Sequence, residues 1–380
     1  MCATRIAALN VENLFDRPKA MAGLMTGEGN PILAAHARVN SLFGEETYTE
    51  TVRASILEQL EILGLLASDT ASQAVLLQVR GNLLARTRKT ATKPARVEVV
   101  ADGRASWIGW VDLVREPVDE LAMDHTAQVF EDVNADIFGV VEAENRIVLK
   151  RFADSAIVDA GDEPLYPHIM VIDGNDNRGI DVGIMIKKGY RIETMRSHID
   201  DRDDSGRRIF GRDCPEYAVT LPNGKRIVVL VNHFKSKGYG SQTSNNATRR
   251  RQATRVAAIY DELLARGETF VAVLGDLNDT PGSAPLKPLL KDTTLKDIAD
   301  HPQFTSDGRK GTYANGTASQ KIDYVLLSPA LFERVTGGAI FRMGVWGGKQ
   351  GTLFPHYETM TSPAHAASDH AAIYADIDLD

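Results

Sequence analysis

Ile227-Val228-Val229-Leu230-Val231-Asn232-His233-Phe234-Lys235-Ser236-Lys237 is the stretch from which the fold is read. Its unbroken apolar, mostly β-branched run makes a strand of a sheet covered on both faces. The strand then delivers an amide, an imidazole and two ammonium groups at its mouth. A polar side chain at the end of a buried strand is costly unless it finds a partner.

The same pattern recurs on both sides. Residues 4–11 form a core strand ending at Asn10, in Asn10-Val11-Glu12-Asn13. Asp136 to Val141 deliver Glu142, in Val141-Glu142-Ala143-Glu144-Asn145. Val271 to Leu274 lead through Gly275 into Asp276-Leu277-Asn278-Asp279. Lys321-Ile322-Asp323-Tyr324 opens another strand, and Ser368-Asp369-His370 precedes the last one.

Taken singly, each residue has an ordinary structural use. Glu142 could be a solvated strand end, Asp276 an Asx turn, and either histidine a hydrogen-bonded structural residue. Their recurrence points to one shared site. Carboxylates suit a hard divalent cation, and imidazoles exchange protons near neutral pH. Asp276 and Asn278 are two apart, so a continuing strand points them to the same side.

The chain has 380 residues, 43% hydrophobic and 25% charged, which is ordinary globular composition with material for a large core. A formal net charge of −8 does not announce nucleic acid. It does not exclude it either, because metal-binding carboxylates lower the net charge without repelling a substrate once loaded. Cys2 and Cys214 give no disulfide framework, which predicts a reducing, cytoplasmic setting. No apolar run of signal or membrane type is present.

Along the chain, residues 18–50 are rich in Gly, Pro, Asn and Thr and read as a loop. Val52, Ile56, Leu60 and Leu63 predict one helix; Val75, Val79 and Leu83, spaced by four, predict a second. Residues 97–114 predict a β-hairpin turning at Asp102-Gly103. Further helices are expected over 117–132, 145–158, 246–266 and 283–290. Strands are expected over 136–141, 182–187, 216–220, 226–232, 270–274, 322–327 and 371–377.

Read together, the motifs resemble the endonuclease/exonuclease/phosphatase superfamily, which includes pancreatic deoxyribonuclease, apurinic endonucleases, sphingomyelinases and inositol-polyphosphate phosphatases. Asn232 to Gly238, Arg249-Arg250-Arg251-Gln252-Ala253, Gly275 to Pro281 and Asn177-Arg178-Gly179-Ile180-Asp181 are similar to a bacterial nuclease branch related to pancreatic deoxyribonuclease. The resemblance spans Asn10 to His370. It implies an α/β (α+β) fold: a four-layered sandwich of two mainly antiparallel sheets flanked by helices. Residues 1–380 would form a single domain, with 20–125 an inserted helical and β-hairpin elaboration.

The resemblance also implies roles. Asn10, Glu142 and Asp369 would hold Mg²⁺, with Mn²⁺ as a substitute. Asp276 would activate the attacking water and Asn278 would orient it. His370 would serve the phosphoryl group, with Asp323 fixing its tautomer, and His233 would be the second imidazole. Asp181 would orient His233, and Arg178, Asn232 and Lys235 would bind or orient the phosphate. The partner would be nucleic acid, most readily DNA, with no membrane.

Lys235, Lys237 and Arg249 to Arg251 could track a polyanion beside the scissile phosphate. Arg80, Arg86, Arg88, Lys89, Lys93, Arg96 and Arg104, with Trp107 and Trp110 following, allow either a nucleic-acid-binding arm or an insert whose Trp residues pack in a core. An oligomer contact would use the same insert. The expected activity is Mg²⁺-dependent phosphodiester hydrolysis, foremost DNA cleavage. The alternatives are a phosphatase or phosphodiesterase acting on a lipid head group or small phosphorylated molecule, and a non-catalytic binding module on the same fold.

Overall fold

The computed structural model describes residues 3–14, 29–87, 96–114, 120–176, 178–238 and 240–380. The chain forms two compact units: Met1–Phe15 with Val118–Asp380, and Asp16–Pro117. In chain order the first unit opens with β1 (Thr4–Leu14). The second then contributes α1 (Gly29–Leu42), α2 (Glu50–Ile62), β2 (Ala74–Arg80), β3 (Leu84–Thr87), β4 (Arg96–Val99) and β5 (Ile108–Leu113).

The first unit resumes with α3 (Glu120–Val133), β6 (Ile137–Ala143), α4 (Arg146–Ala156), β7 (His168–Ile172), β8 (Asp181–Ile186), β9 (Arg191–Arg196), β10 (Glu216–Thr220) and β11 (Arg226–His233). It continues with α5 (Gln242–Ala265), β12 (Val271–Asp276), α6 (Lys287–Leu290), β13 (Lys296–Asp297), β14 (Phe304–Thr305), β15 (Asp323–Leu327), α7 (Pro329–Phe332), β16 (Val335–Phe341) and β17 (Ala372–Ile377).

Two sheets dominate this unit: seven strands in the order β14-β16-β17-β1-β6-β8-β7, and six in the order β13-β15-β12-β11-β10-β9. Most pairings are antiparallel; β1 with β6, β11 with β12 and β14 with β16 are parallel. The alternation of side chains along each strand builds the layers. Ile6, Ile137 and Ile184 of the larger sheet pack against Tyr217, Val229 and Val325 of the smaller one, forming the central core. The opposite face of the larger sheet, with Phe138 and Val140, is covered by Phe130 of α3 and Leu149 of α4. The opposite face of the smaller sheet, with Leu230 and Val273, is covered by Val256 and Tyr260 of α5. The result is the expected four-layered sandwich, because the central strands are apolar on both faces.

The unit Asp16–Pro117 has its own core, in which Phe43, Ile56, Leu60, Leu76 and Trp107 are buried. The 18–50 stretch carries α1 rather than a plain loop; its residues before 29 lie outside the described ones. Thr49 caps α2, accepting from the Val52 N–H at 3.3 Å. The helix expected from Val75, Val79 and Leu83 is absent: β2 occupies residues 74–80 and pairs antiparallel with β5. A spacing of four also keeps one face of a strand, so the pattern did not discriminate.

The hairpin expected across Asp102-Gly103 also gives way, since β4 pairs with β3 and β5 with β2. Gly103 serves a close approach instead: a Cβ there would lie 1.9 Å from the Glu46 carbonyl oxygen. Trp107 is buried against Phe43 and donates its indole N–H to Gln78 Oε1 at 3.1 Å, whereas Trp110 is 44% exposed. Arg86 donates to the Leu65 and Leu66 carbonyls, while Arg88, Lys89 and Lys93 lie outside the described residues. No described helix is long and apolar enough to cross a membrane.

Candidate active site

Strand register brings the chemistry together. Parallel pairing of β11 with β12 sets His233 opposite Asp276, and antiparallel pairing of β12 with β15 sets Asp276 opposite Asp323. These residues therefore form one row across adjacent strands of the smaller sheet. In the larger sheet, β1 and β6 pair Asn10 with Val141, so Glu142 comes next, and Asn10 Nδ2 donates to Glu142 Oε1 at 3.1 Å. Glu142 Oε1 lies 3.6 Å from His233 Nε2, linking the strand ends of the two sheets.

The backbone is bent where it presents these groups. Glu12, Glu142 and Asn278 have φ of 47°, 69° and 54°, in the left-handed region that non-glycine residues rarely adopt. Gly275, at φ 117°, lets β12 approach β11: a Cβ there would sit 2.1 Å from the Asn232 carbonyl oxygen.

His370 Nδ1 donates to Asp323 at 2.9 Å (Oδ2) and 3.1 Å (Oδ1), which fixes the ring and its tautomer. Thr312 Oγ1 donates to Asp323 Oδ2 at 2.6 Å and accepts from the Asp323 N–H at 3.0 Å, holding the carboxylate from its other side. Ser368 ties the His370 loop to β1, donating to the Asn10 carbonyl at 2.7 Å. Burial works against a charged His370, but Asp323, its hydrogen bond and Asp276 outweigh this and raise its pKa to about 10.

Asp276 is buried and oriented by Asn278, which gives its backbone N–H to Oδ1 at 2.7 Å and its amide to Oδ2 at 2.9 Å. Burial and the neighbouring Asp323 raise the Asp276 pKa. His233 is also buried, and its Nε2 lies 3.7 Å from Asp276 Oδ2. Desolvation, then Arg212 and His370, push its pKa well below the imidazole value. The two imidazoles thus take opposite protonation states, the usual basis for dividing acid and base work in a site.

An open cleft of about 420 Å³ is lined by Glu12, Glu142, His233, Asp276, Asp369 and His370, with Lys237 at its side. The Asp369 backbone N–H donates to Glu12 Oε2 at 2.8 Å, and its own carboxyl lies 3.6 Å from His370 Nε2. Burial of its carboxyl end and repulsion by Asp369 raise Glu12 to about 7, although the residue as a whole is exposed. Crowded carboxylates beside an amide oxygen are a donor set for a hard divalent cation. Glu12, Glu142 and Asp369 line this cleft, and Asn10 holds Glu142 while its amide oxygen accepts from the Glu12 N–H at 3.0 Å. A second group of potential ligands, Asp276, Asp323 and His370, has its donor atoms within 4.8 Å of one another. There the His370 Nδ1 is already committed to Asp323.

Other expected roles fall elsewhere. Asp181 accepts from the Gly174 N–H at 2.9 Å, and His233 Nδ1 has no carboxylate partner, so Asp181 does not orient His233. Asp181 is raised to about 7 by burial, with Asp173 and Asp176 adding to it. Arg178 donates to Asp176 at 2.8 and 3.0 Å, and its charge is felt at His233. The Asn232 side-chain amide is buried, with no hydrogen-bond partner on either of its polar atoms. Lys235 Nζ reaches the Gly238 carbonyl at 3.3 Å.

Of the three arginines expected beside a polyanion, Arg249 and Arg251 are engaged within the fold, while Arg250 is exposed. Arg249 is fully buried on Asp279, and Arg251 lies 3.6 Å from Asp203. Arg212 is a residue the strand-end pattern missed. It is buried, pairs with Asp176 at 3.1 Å, and donates to the Phe234 carbonyl at 2.6 Å, with Glu142, Asp276 and His233 in its field. It precedes β10 instead of ending a strand, so the strand-end pattern carries no signal for it.

A sequence profile of the endonuclease/exonuclease/phosphatase family matches residues 98–341. The chain belongs to this family and is a hydrolase of its kind. An endonuclease/exonuclease/phosphatase family protein from Bacteroides thetaiotaomicron shares the fold at 16% identity, covering 68% of this chain and 88% of its own, with a TM-score of 0.50. A mannosyl-6-phosphatase from Bacteroides thetaiotaomicron does so at 16% identity, over 68% of this chain and 91% of its own, with a TM-score of 0.50. No curated protein sequence matches the chain.

Proposed function

We propose that the chain is a divalent-metal-dependent phosphodiester hydrolase whose substrate is DNA. The observation that carries this reading is the row His233, Asp276 and Asp323, extended by His370 and facing Glu142 at 3.6 Å across the sheets. It supports a reading in which an acceptor for a water proton, two imidazoles of opposite charge state and an acidic cation site share one cleft.

Hydrolysis of a phosphodiester by in-line attack builds negative charge on the phosphoryl oxygens and on the leaving oxygen. Asn278 holds Asp276 so that its carboxylate takes the proton of the attacking water. His370, cationic through Asp323, donates through Nε2 to the phosphoryl or leaving oxygen. His233 stays neutral and hydrogen-bonds the opposite side of the phosphate. Asn10, Glu142 and Asp369, with Glu12, would hold Mg²⁺ or Mn²⁺, which when bound neutralises charge on the phosphate oxygens. Arg212 adds a fixed positive charge from beneath the site.

A second reading is a phosphatase or phosphodiesterase acting on a small phosphorylated molecule. One observation favours it: among the described residues lining the cleft, Lys237 is the only lysine or arginine. A polyanion is normally held by several. The fold neighbour that is a mannosyl-6-phosphatase is consistent with such substrates on this scaffold.

The deciding experiment offers plasmid, single-stranded DNA, RNA and a phosphomonoester to the purified protein with Mg²⁺, Mn²⁺ or chelator. Metal-dependent nicking that weakens steeply with salt supports the DNA reading. Turnover of the monoester with no cleavage of any nucleic acid transfers support to the second reading. A protein inert on all of them would favour a binding module.

A further inference from the structure

Three buried polar residues on one face of α5 grip the loop that brings Lys237 to the cleft. Gln252 Oε1 accepts from the Lys235 N–H at 2.9 Å. Asn245 Nδ2 donates to the Lys237 and Gly238 carbonyls at 3.2 and 3.1 Å. Arg249, the most deeply placed, donates from Nη1 to the Lys235 carbonyl at 2.9 Å and from Nε to Asp279 Oδ2 at 3.0 Å. The other oxygen of Asp279 lies 3.0 Å from Lys237 Nζ. Asp279 is therefore shared between a fully buried guanidinium and an ammonium whose side chain is 45% exposed.

The charges decide what this sharing does. The dry Arg249–Asp279 pair is close to neutral, so Lys237 meets only a residual dipole and keeps its positive charge for the cleft. Without Arg249, Asp279 would become an uncompensated carboxylate directly beside Lys237. It would hold the ammonium more tightly at the contact already 3.0 Å long and cancel its charge. The geometry points to Arg249 as a positioning residue. By neutralising Asp279, it keeps Lys237, the cation lining the cleft, available to a substrate phosphate. This rests on the cleft being the phosphate site, and it deepens that reading by naming the residue that arms its cation.

Trace acetylation of the intact full-length protein by acetic anhydride, read by mass spectrometry with exposed Lys349 as internal reference, measures the freedom of Lys237 directly. In Arg249→Met the labelling of Lys237 should slow by about fivefold, the factor supplied by an exposed ion pair at the upper end of its range. Arg249→Lys, which keeps the charge, should label at the wild-type rate. Arg249→Met with Asp279→Asn, which removes the pair together, should return Lys237 to the wild-type rate. The double and Lys variants also serve if the single Met variant does not fold, because neither leaves a buried charge alone.

Unchanged labelling in Arg249→Met overturns the proposal. So does a double variant that labels several-fold faster than wild type, since Asp279 would then be holding Lys237 despite Arg249. The same variants assayed on duplex DNA separate this idea from the substrate. Loss of Lys237 should reduce the salt slope of apparent binding by about 0.9, and Arg249→Met should reproduce that reduction. A wild type that cleaves no nucleic acid would remove the DNA reading and leave the labelling result to stand or fall by itself.

Discussion

Asp323 and His370, separated by 47 residues, are joined by hydrogen bonds of 2.9 and 3.1 Å from one imidazole nitrogen to both carboxylate oxygens. The pair is buried, and Thr312 secures the carboxylate at 2.6 Å. Asp323→Asn would keep the shape but lose the charge that makes His370 an imidazolium. We expect kcat on a phosphodiester to fall about 10²–10⁴-fold, the range for a lost acid-base contribution. KM should change little, because ground-state binding is not the contact removed. A variant with wild-type kcat would remove His370 and Asp323 from the mechanism.

Glycine is needed at position 275 for a physical reason. Its φ is 117°, and a Cβ would meet the Asn232 carbonyl at 2.1 Å. Gly275→Ala should cost about 1–3 kcal/mol from backbone conformation alone. It should also shift Asp276 relative to His233, so activity should fall alongside the melting temperature. A variant that melts and reacts like the wild type would show that β11 and β12 do not approach as closely as described.

Cation binding should be readable as stability. With metal at a hundredfold over its dissociation constant, the wild type should gain about 2.7 kcal/mol. Glu142→Gln should lose most of that gain. In chelator the same variant should melt no lower than wild type, because it relieves crowding among Glu12, Glu142 and Asp369. Equal metal-induced shifts in both proteins would place the cation elsewhere, with the Asp276, Asp323 and His370 group as the next candidate.

A pH-sensitive structural network lies away from the cleft. His198 is buried, with Nδ1 on Asp201 at 2.9 Å and Nε2 on Glu216 at 2.8 Å, so both nitrogens donate and the ring is cationic. Burial works against that charge, but Glu216 and then Asp201 raise the pKa above the imidazole value. A raised folded pKa gives stability that is full below about pH 6.5 and is lost as pH climbs through the folded value. Asp201 and Glu216 are lowered despite burial by Arg255, Arg266 and His198, so their share is lost as pH falls below the carboxylate range. The network should therefore contribute most between about pH 5 and 6.5. His198→Gln should flatten the alkaline decline in thermal melting; an identical decline in both proteins would rule the network out as its cause.

How far the sequence could be read depended on whether the signal was local. Glu142, His233 and Asp276 follow long apolar runs, so β strands ending in a polar group were visible, and the register then aligned them. Asp323 and His370 stand instead at the start of the apolar runs of β15 and β17, and the family resemblance supplies their pairing. Arg249 was misjudged because a polar helix face reads as solvated, whereas here Asn245, Arg249 and Gln252 face inward and spend their hydrogen bonds on a loop. Glu12 and Arg212 were missed because what brings them to the site is tertiary: the Asp369 backbone and Asp176. In the Asp16–Pro117 unit, Asp102-Gly103 looked like a hairpin turn. Long-range pairings overrode that local preference.

The sharpest test is the turnover number of Asp276→Ala beside wild type, on plasmid DNA and on a simple phosphodiester with Mg²⁺ present. Asp276 stands at the centre of the row, between His233 and Asp323. If it takes the proton of the attacking water, kcat should fall about 10²–10⁴-fold on both substrates, while the variant still binds metal. Full activity in Asp276→Ala, with metal dependence intact, would contradict the assignment of this cleft as a site of water attack on phosphorus.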